Sequence, residues 1–214
     1  MTSILGTFFN SLALILLGIL GTWSLSKRPK AWHRQVRKTI WFALVISVVF
    51  SLFFQIFASI HKRTYKNDLV LRYQDRYEEK LTDARAQAAK AITDYLQTGN
   101  WQSVTNQANL DALEDVLAFY DELGFYWKNG EISSDVLYEH FYYDMRIYCQ
   151  PTIGYIHANQ KTDSPADWEN VEPLFNELTR IEANKTGKSI KDCTWDTNTL
   201  TQNLNSEIRR LKSK

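Results

Sequence analysis

The sequence predicts an all-α chain built as an N-terminal two-helix transmembrane hairpin, a long amphipathic connecting helix and a small helical C-terminal domain. Three observations predict it. Two uncharged apolar runs of 22 residues occupy positions 4–25 and 39–60. After them, apolar residues recur at spacings of three and four, the period of a helix with one buried face. No alternating strand pattern of useful length appears, and Gly, Pro and capping residues punctuate the helical runs.

The first run reads ILGTFFNSLALILLGILGTWSL and the second TIWFALVISVVFSLFFQIFASI. At 1.5 Å per residue each covers the roughly 30 Å hydrocarbon core of a bilayer. The connector between them, SKRPKAWHRQVRK, holds six Lys/Arg and no acid, and no Asp or Glu occurs before Asp68. A buried helix of a soluble protein is usually shorter and keeps a polar face. A secretory signal would want a basic start, a short apolar centre and a small-residue cleavage site. The start MTSILG has no basic residue, and a second apolar run follows. Both runs are therefore expected to persist as a multi-pass hairpin. Trp23, Trp32 and Trp41 place the connector at a membrane–water interface. Its charge would hold it in the cytoplasm, but Lys62, Arg63, Lys66, Arg72, Arg76 and Lys80 crowd the far end of the second run. Orientation stays open.

Within the second run Ala43, Ser47, Ser51, Gln55 and Ser59 recur at every fourth residue. Such a row of small and polar side chains is where membrane helices approach closely and hydrogen-bond. Asn10, Ser11, Gly18 and Gly21 are the corresponding breaks in the first run. Asn10 and Gln55 are costly beside lipid and are expected to face protein or water. The row either packs the two helices on each other or, in a homo-oligomer, lines a conducting assembly.

Residues 61–98 form the connecting helix, with no Pro or Gly before Gly99. Tyr65, Leu69, Tyr73, Tyr77 and Leu81, then Ala84, Ala88, Ile92 and Tyr95, give its apolar row. The spacing predicts an unbroken stalk, free to pair with a copy of itself or to fold back on the domain; a regular heptad is not maintained. In residues 99–214 a helix is expected over 109–128, capped by Asn109, with the stripe Leu110, Leu113, Val116, Leu117, Tyr120, Leu123. Asn129 and Gly130 end it. Ser133 or Ser134 caps the next, through Val136, Leu137, Phe141, Met145 and Tyr148, and Pro151 ends or kinks it. Ser164, Pro165, Ala166 and Asp167 read as a helix start, running through Val171, Leu174, Leu178 and Ile181 to Gly187. Asp196 or Thr197 caps the last helix, whose stripe is Leu200, Leu204, Ile208 and Leu211.

Charge is partitioned. Residues 1–60 carry +6 and residues 61–214 carry −5, within which residues 93–183 hold four basic and sixteen acidic groups. That middle has the wrong sign for phosphate, so direct nucleic-acid binding is not expected. The two basic flanks, 61–92 and 184–214, could touch lipid headgroups or nucleic acid, although a solvated helix face is the better reading of both. Cys149 and Cys193 show no zinc-like spacing and read as buried thiols, or as a disulfide in an oxidising compartment.

Phosphate-binding glycine loops, GxSxG and HExxH are absent. His140 and Asp144 share one helix face, with Glu139, Cys149 and His157 near them in sequence. A metal site needs three or four converging ligands, and a pair at this spacing arises often by chance. No enzyme activity, cofactor or metal is expected; an enzyme using His140 and Asp144 is the minor alternative. The densest feature is aromatic: Phe119, Tyr120, Phe125, Trp127, Tyr138, Phe141, Tyr142 and Tyr148. They form either the core between two helices or, at Phe119, Tyr120, Trp127, Tyr138, Phe141 and Tyr142, a partner-binding surface.

Leu113, Glu114, Phe119, Tyr120, Glu122, Leu123 and Gly124, then Gly130, Glu131, Ile132, Ser133, Asp135, Tyr138 and Phe141, resemble a helix–turn–helix signature of uncharacterised membrane-tethered bacterial proteins. The layout is similar to the two-transmembrane effectors of bacterial retrons and related abortive-infection systems. The resemblance implies an inner-membrane effector held silent by a protein or ribonucleoprotein regulator, a retron reverse transcriptase complex. Phage attack would release it to disrupt the membrane. The alternative is a membrane-anchored scaffold or regulatory subunit that binds a protein through its acidic, aromatic domain.

Overall fold

The structure is a computed structural model that describes residues 30–213. The run at 4–25, with Asn10 and Gly18, lies outside the described residues. Every element among the described residues is helical. The chain divides into two compact units, Met1–Asn67 and Asp68–Lys214, and helix α1 (Lys30–Asp75) contributes to both.

In the first unit the stretch Trp41–Ile60 is long and apolar enough to cross a membrane, with a mean hydropathy of 2.4 and none of it buried by protein. Among the described residues it is the one such helix. Trp41, Phe42, Phe50, Phe53 and Ile60 are each at least 60% exposed. Ala43, Ser47, Ser51, Gln55 and Ser59 are exposed too. An exposed apolar surface of this extent is the kind that meets a membrane or another protein surface.

The second unit starts within the last turns of α1. Val70 and Tyr73 are buried there, whereas Tyr65, earlier on the same four-residue row, is half exposed. The unbroken stalk expected over 61–98 is interrupted. Arg76–Lys80 form a π turn, closed by the Leu81 N–H on the Arg76 carbonyl at 3.1 Å. Leu81 is non-helical, and α2 (Thr82–Thr98) begins after it. The cause is geometric. A row spaced by four drifts about 40° per step round a 3.6-residue helix, so it cannot stay on one core for thirty residues. The wider π turn resets it. Tyr77 then packs in the same core as Ala88, Ala89 and Ile92. Residues 82–98 are thus a wall of the domain.

Gly99 ends α2 at φ 71°, its N–H on the Tyr95 carbonyl. After a short 3₁₀ turn at Trp101–Ser103 comes α3 (Gln107–Lys128), the central helix. Its N-cap is Asn106; Asn109, the cap expected from sequence, is a buried residue inside the first turn. Leu113, Val116, Leu117, Phe119, Tyr120 and Leu123 are fully buried along it. Ser133 caps α4 (Ser134–Tyr148), accepting from the Val136 N–H. Pro151 sits in a 3₁₀ turn, and α5 (Ile153–Thr162) follows.

Ser164–Asp167 does not open a helix. The Ser164 carbonyl accepts from the Asp167 N–H at 3.0 Å, closing one turn, and α6 (Val171–Thr186) begins seven residues later. Its start is fixed by α3: Asp121 accepts from the Asn170 backbone N–H at 2.8 Å and from its amide at 3.2 Å. Gly124 permits that approach, since a Cβ there would lie 2.6 Å from the Asn170 carbonyl oxygen. A 3₁₀ turn at Ile190–Cys193 and an Asp196 cap on the Thr199 N–H lead into α7 (Thr197–Lys212). Helix α2 packs between α3 and α7, and α6 packs on α4 and α3.

Candidate functional site: a buried charge cluster and an acidic groove

Two opposite charges lie on apolar helix faces. Arg85 shares its face of α2 with Ala88, Ala89 and Ile92, and Glu207 shares its face of α7 with Leu200, Leu204 and Leu211. Both stripes are buried, so the packing of α2 on α7 brings the charges together inside the domain. Arg85 is fully buried and Glu207 almost so, and the Arg85 Nη2 donates to Glu207 Oε1. The guanidinium also donates through Nη1 to the Tyr77 carbonyl at 3.2 Å and lies 3.7 Å from the centre of the Tyr77 ring. Its Nε is buried without an acceptor.

Glu207 is densely satisfied. Besides Arg85 it accepts from the Tyr148 hydroxyl at 3.2 Å and from Arg210 Nε and Nη2 at 2.9 and 3.1 Å. Burial pushes its carboxyl up, but the Arg210 hydrogen bonds and the Arg85 charge hold it below its ordinary value. Behind it, the Tyr120 hydroxyl donates to the Tyr77 hydroxyl at 2.9 Å. Burial drives both of these phenols, and that of Tyr148, well above the usual range, so they stay neutral donors.

Asp144, across from them on α4, is different. Its nearest cation is the Arg85 Nη2 at 4.0 Å. Burial, only partly offset by the Arg85 charge, pushes its carboxyl up to about 6. Asp144 and Glu207 both open onto a cavity of 280 Å³ between α4 and α7.

A larger groove of 590 Å³ lies between α3, α5 and the turns before α6. Glu114, Asp121, Glu122, Asp163 and Asp167 line it together with Phe125 and Trp168. Several of these acids are tied down: Glu122 accepts from Tyr73 and Arg76 at 2.5 Å, and Glu114 from Tyr155 at 2.8 Å. Phe125 projects from α3 half exposed, and Trp168, at φ 51°, stacks on Tyr155. The groove can offer negative charge and aromatic surface to a basic segment.

Of the aromatic residues singled out in the sequence, Phe119, Tyr120, Phe141 and Tyr142 are core. Phe119 is the hub, with the rings of Tyr77, Tyr120, Tyr73 and Phe141 all within 5.8 Å. Sealed from solvent, these four are not a docking surface. Trp127 and Tyr138 are half-buried; the Tyr138 hydroxyl donates to Glu182 and its ring carries Lys185 at 4.0 Å. His140 is exposed, and His157 pairs with Glu172 at 2.7 Å. The five residues weighed as metal ligands do not converge: among the described residues no group of three or more His, Cys, Asp or Glu could hold an ion. Cys149 and Cys193 are buried free thiols.

The chain was compared with protein-family models, curated proteins and solved structures. Nothing matches.

Sequence reasoning missed Arg85 and Glu207 as partners, yet it held a signal for them. Each is a charge at an i, i+3 or i, i+4 position of an otherwise apolar stripe, and buried charges of opposite sign must find each other.

Proposed function

We propose that the protein is a membrane-embedded effector of the abortive-infection kind. A hairpin formed by residues 4–25 and 39–60 sits in the bacterial inner membrane. It self-associates through the row Ala43, Ser47, Ser51, Gln55, Ser59 and breaches the permeability barrier. The helical domain docks the protein or ribonucleoprotein regulator that keeps it silent until infection. The observation that carries this reading is the uncovered apolar surface of Trp41–Ile60 with a polar row along it. Such a row is where one membrane helix meets another, and in the effector reading it meets further copies of the same chain.

Inducible expression with a membrane-potential dye tests it. Wild-type protein is expected to depolarise cells, and Ser47→Leu with Gln55→Leu to abolish most of the effect. Full depolarisation by that double variant, or none by wild type with or without phage, overturns the proposal.

A second reading is favoured by the acidic groove: a membrane-anchored scaffold or regulatory subunit that binds a basic segment of a protein partner there. It predicts that replacing the hairpin by an unrelated anchor leaves function intact, which the effector reading forbids.

A further inference from the structure

We propose that Arg146 anchors a docking surface for a protein partner and receives the carboxylate of an acidic side chain there. Tyr143 and Arg146 stand on one face of α4, and Gln150 follows a turn later. Gln150 fixes Trp195: its Nε2 donates to the Trp195 carbonyl at 2.6 Å, and its Oε1 accepts from the Trp195 N–H at 3.0 Å. The indole so held meets the Tyr143 ring edge-on at 5.3 Å. The Arg146 guanidinium lies over it, 3.9 Å from the ring centre. What that guanidinium lacks is an acceptor. Of the other arginines in the second unit, Arg72, Arg76, Arg85, Arg180 and Arg210 each pair with a carboxylate. Arg209 donates to the Asn205 carbonyl. Arg146 has neither kind of partner among the described residues, and its Nε is buried without one. Burial pulls its guanidinium below the ordinary value, whereas hydrogen bonds to Glu177 and Glu207 raise Arg180 and Arg210.

A guanidinium carries its five N–H donors in its own plane. The Trp195 ring attracts its charge but offers no oxygen to those donors. The group that completes Arg146 is therefore an anion. Glu182 acts on it electrostatically from beyond ion-pair distance and is engaged by the Tyr138 hydroxyl. That second negative charge disfavours a dianionic phosphate, whereas one carboxylate matches one guanidinium and accepts two parallel N–H bonds. The surround says what carries the carboxylate. Tyr143 is 56% exposed and Trp195 half-buried. Trp, Tyr and Arg side by side, each partly open to solvent, are the residues that dominate protein–protein hot spots. They give a partner chain apolar area to bury around the ion pair; a free carboxylate gains the pair alone. The inference rests on the docking role given to the helical domain above, adding a position and a chemistry to it. It does not depend on what the membrane segment does.

The full-length protein in detergent micelles, isotope-labelled at its arginine and tryptophan nitrogens, tests this by NMR. The signals read are the Arg146 Nε–H and the Trp195 indole N–H, assigned through Arg146→Gln and Trp195→Phe. The probes are the capped peptide Leu-Glu-Leu, its Leu-Gln-Leu counterpart, sodium acetate and inorganic phosphate, each titrated near neutral pH. The Glu peptide is expected to shift both signals saturably, and to bind about tenfold or more tightly than the Gln peptide or acetate. In Arg146→Lys, which keeps the charge and loses the planar fork, the Trp195 signal should report weaker binding. In Arg146→Gln it should report none. A circular-dichroism melt of each variant separates lost binding from lost fold, and the Glu–Gln contrast needs wild type alone. Acetate binding as tightly as the Glu peptide overturns the protein-partner assignment, and phosphate binding more tightly overturns the carboxylate. No saturable shift with the Glu peptide, or the same shift of Trp195 in Arg146→Gln, overturns the proposal. Each of these failures leaves the depolarisation test of the effector reading untouched.

Discussion

Arg85 and Glu207 are opposite charges sealed in an apolar surround, and a pair of that kind is more a constraint on packing than a source of stability. Removing one partner strands the other. Glu207→Ala is expected to destabilise the domain by ~3–5 kcal/mol, whereas Arg85→Met with Glu207→Leu should cost far less. Denaturation of wild type, Glu207→Ala and the double variant checks it. Asp144 gives the residue scale its pH dependence. Its folded carboxyl titrates about 6, above its ordinary 3.8, so between those values the folded state binds more protons than the unfolded one. Its contribution is then a penalty at neutral pH that lifts as pH falls through 6 and is gone below 4. Up to about 3 kcal/mol is expected from that shift. Glu207 works in the opposite sense: its stabilisation is present above the ordinary carboxylate range and is lost as pH falls through its depressed value. Unfolding free energies measured between pH 7.5 and 5 should therefore rise on acidification in wild type and stay flatter in Asp144→Asn.

At the scale of elements, α3, α4 and α7 were legible because their apolar stripes are local, as are the caps Ser133 and Asp196, whereas the cap of α3 fell at Asn106 rather than Asn109. Gly99, Gly130 and Gly187 each close a helix at positive φ, as their positions imply. Two features were not legible, and both are set by distant residues. The π turn at Arg76–Lys80 answers the need to keep Tyr73, Tyr77 and Ile92 on one core, which no window of sequence contains. The start of α6 is chosen by Asp121 and Gly124 on α3, which outweigh a good local cap at Ser164. Gly124→Ala tests that contact. A methyl 2.6 Å from the Asn170 carbonyl must displace backbone, and a loss of ~1–3 kcal/mol is expected. Amide exchange should quicken at the first turn of α6 and stay unchanged in α7. Of the candidate site, the aromatic density was visible from the start, but whether a ring faces core or solvent depends on which helix covers it.

For the whole molecule the governing fact is the division between an apolar first unit and a charged second one. Asp68 is the first acid of the chain and the first residue of the second unit. Trp41–Ile60 is long and apolar enough to cross a membrane, and none of it is buried within the described protein. Effector and anchored scaffold both require the crossing. Alkaline carbonate extraction of membranes from cells expressing the full-length protein tests it most directly. The chain should remain in the membrane pellet and leave it only with detergent. Recovery in the carbonate supernatant as a soluble monomer would contradict the account.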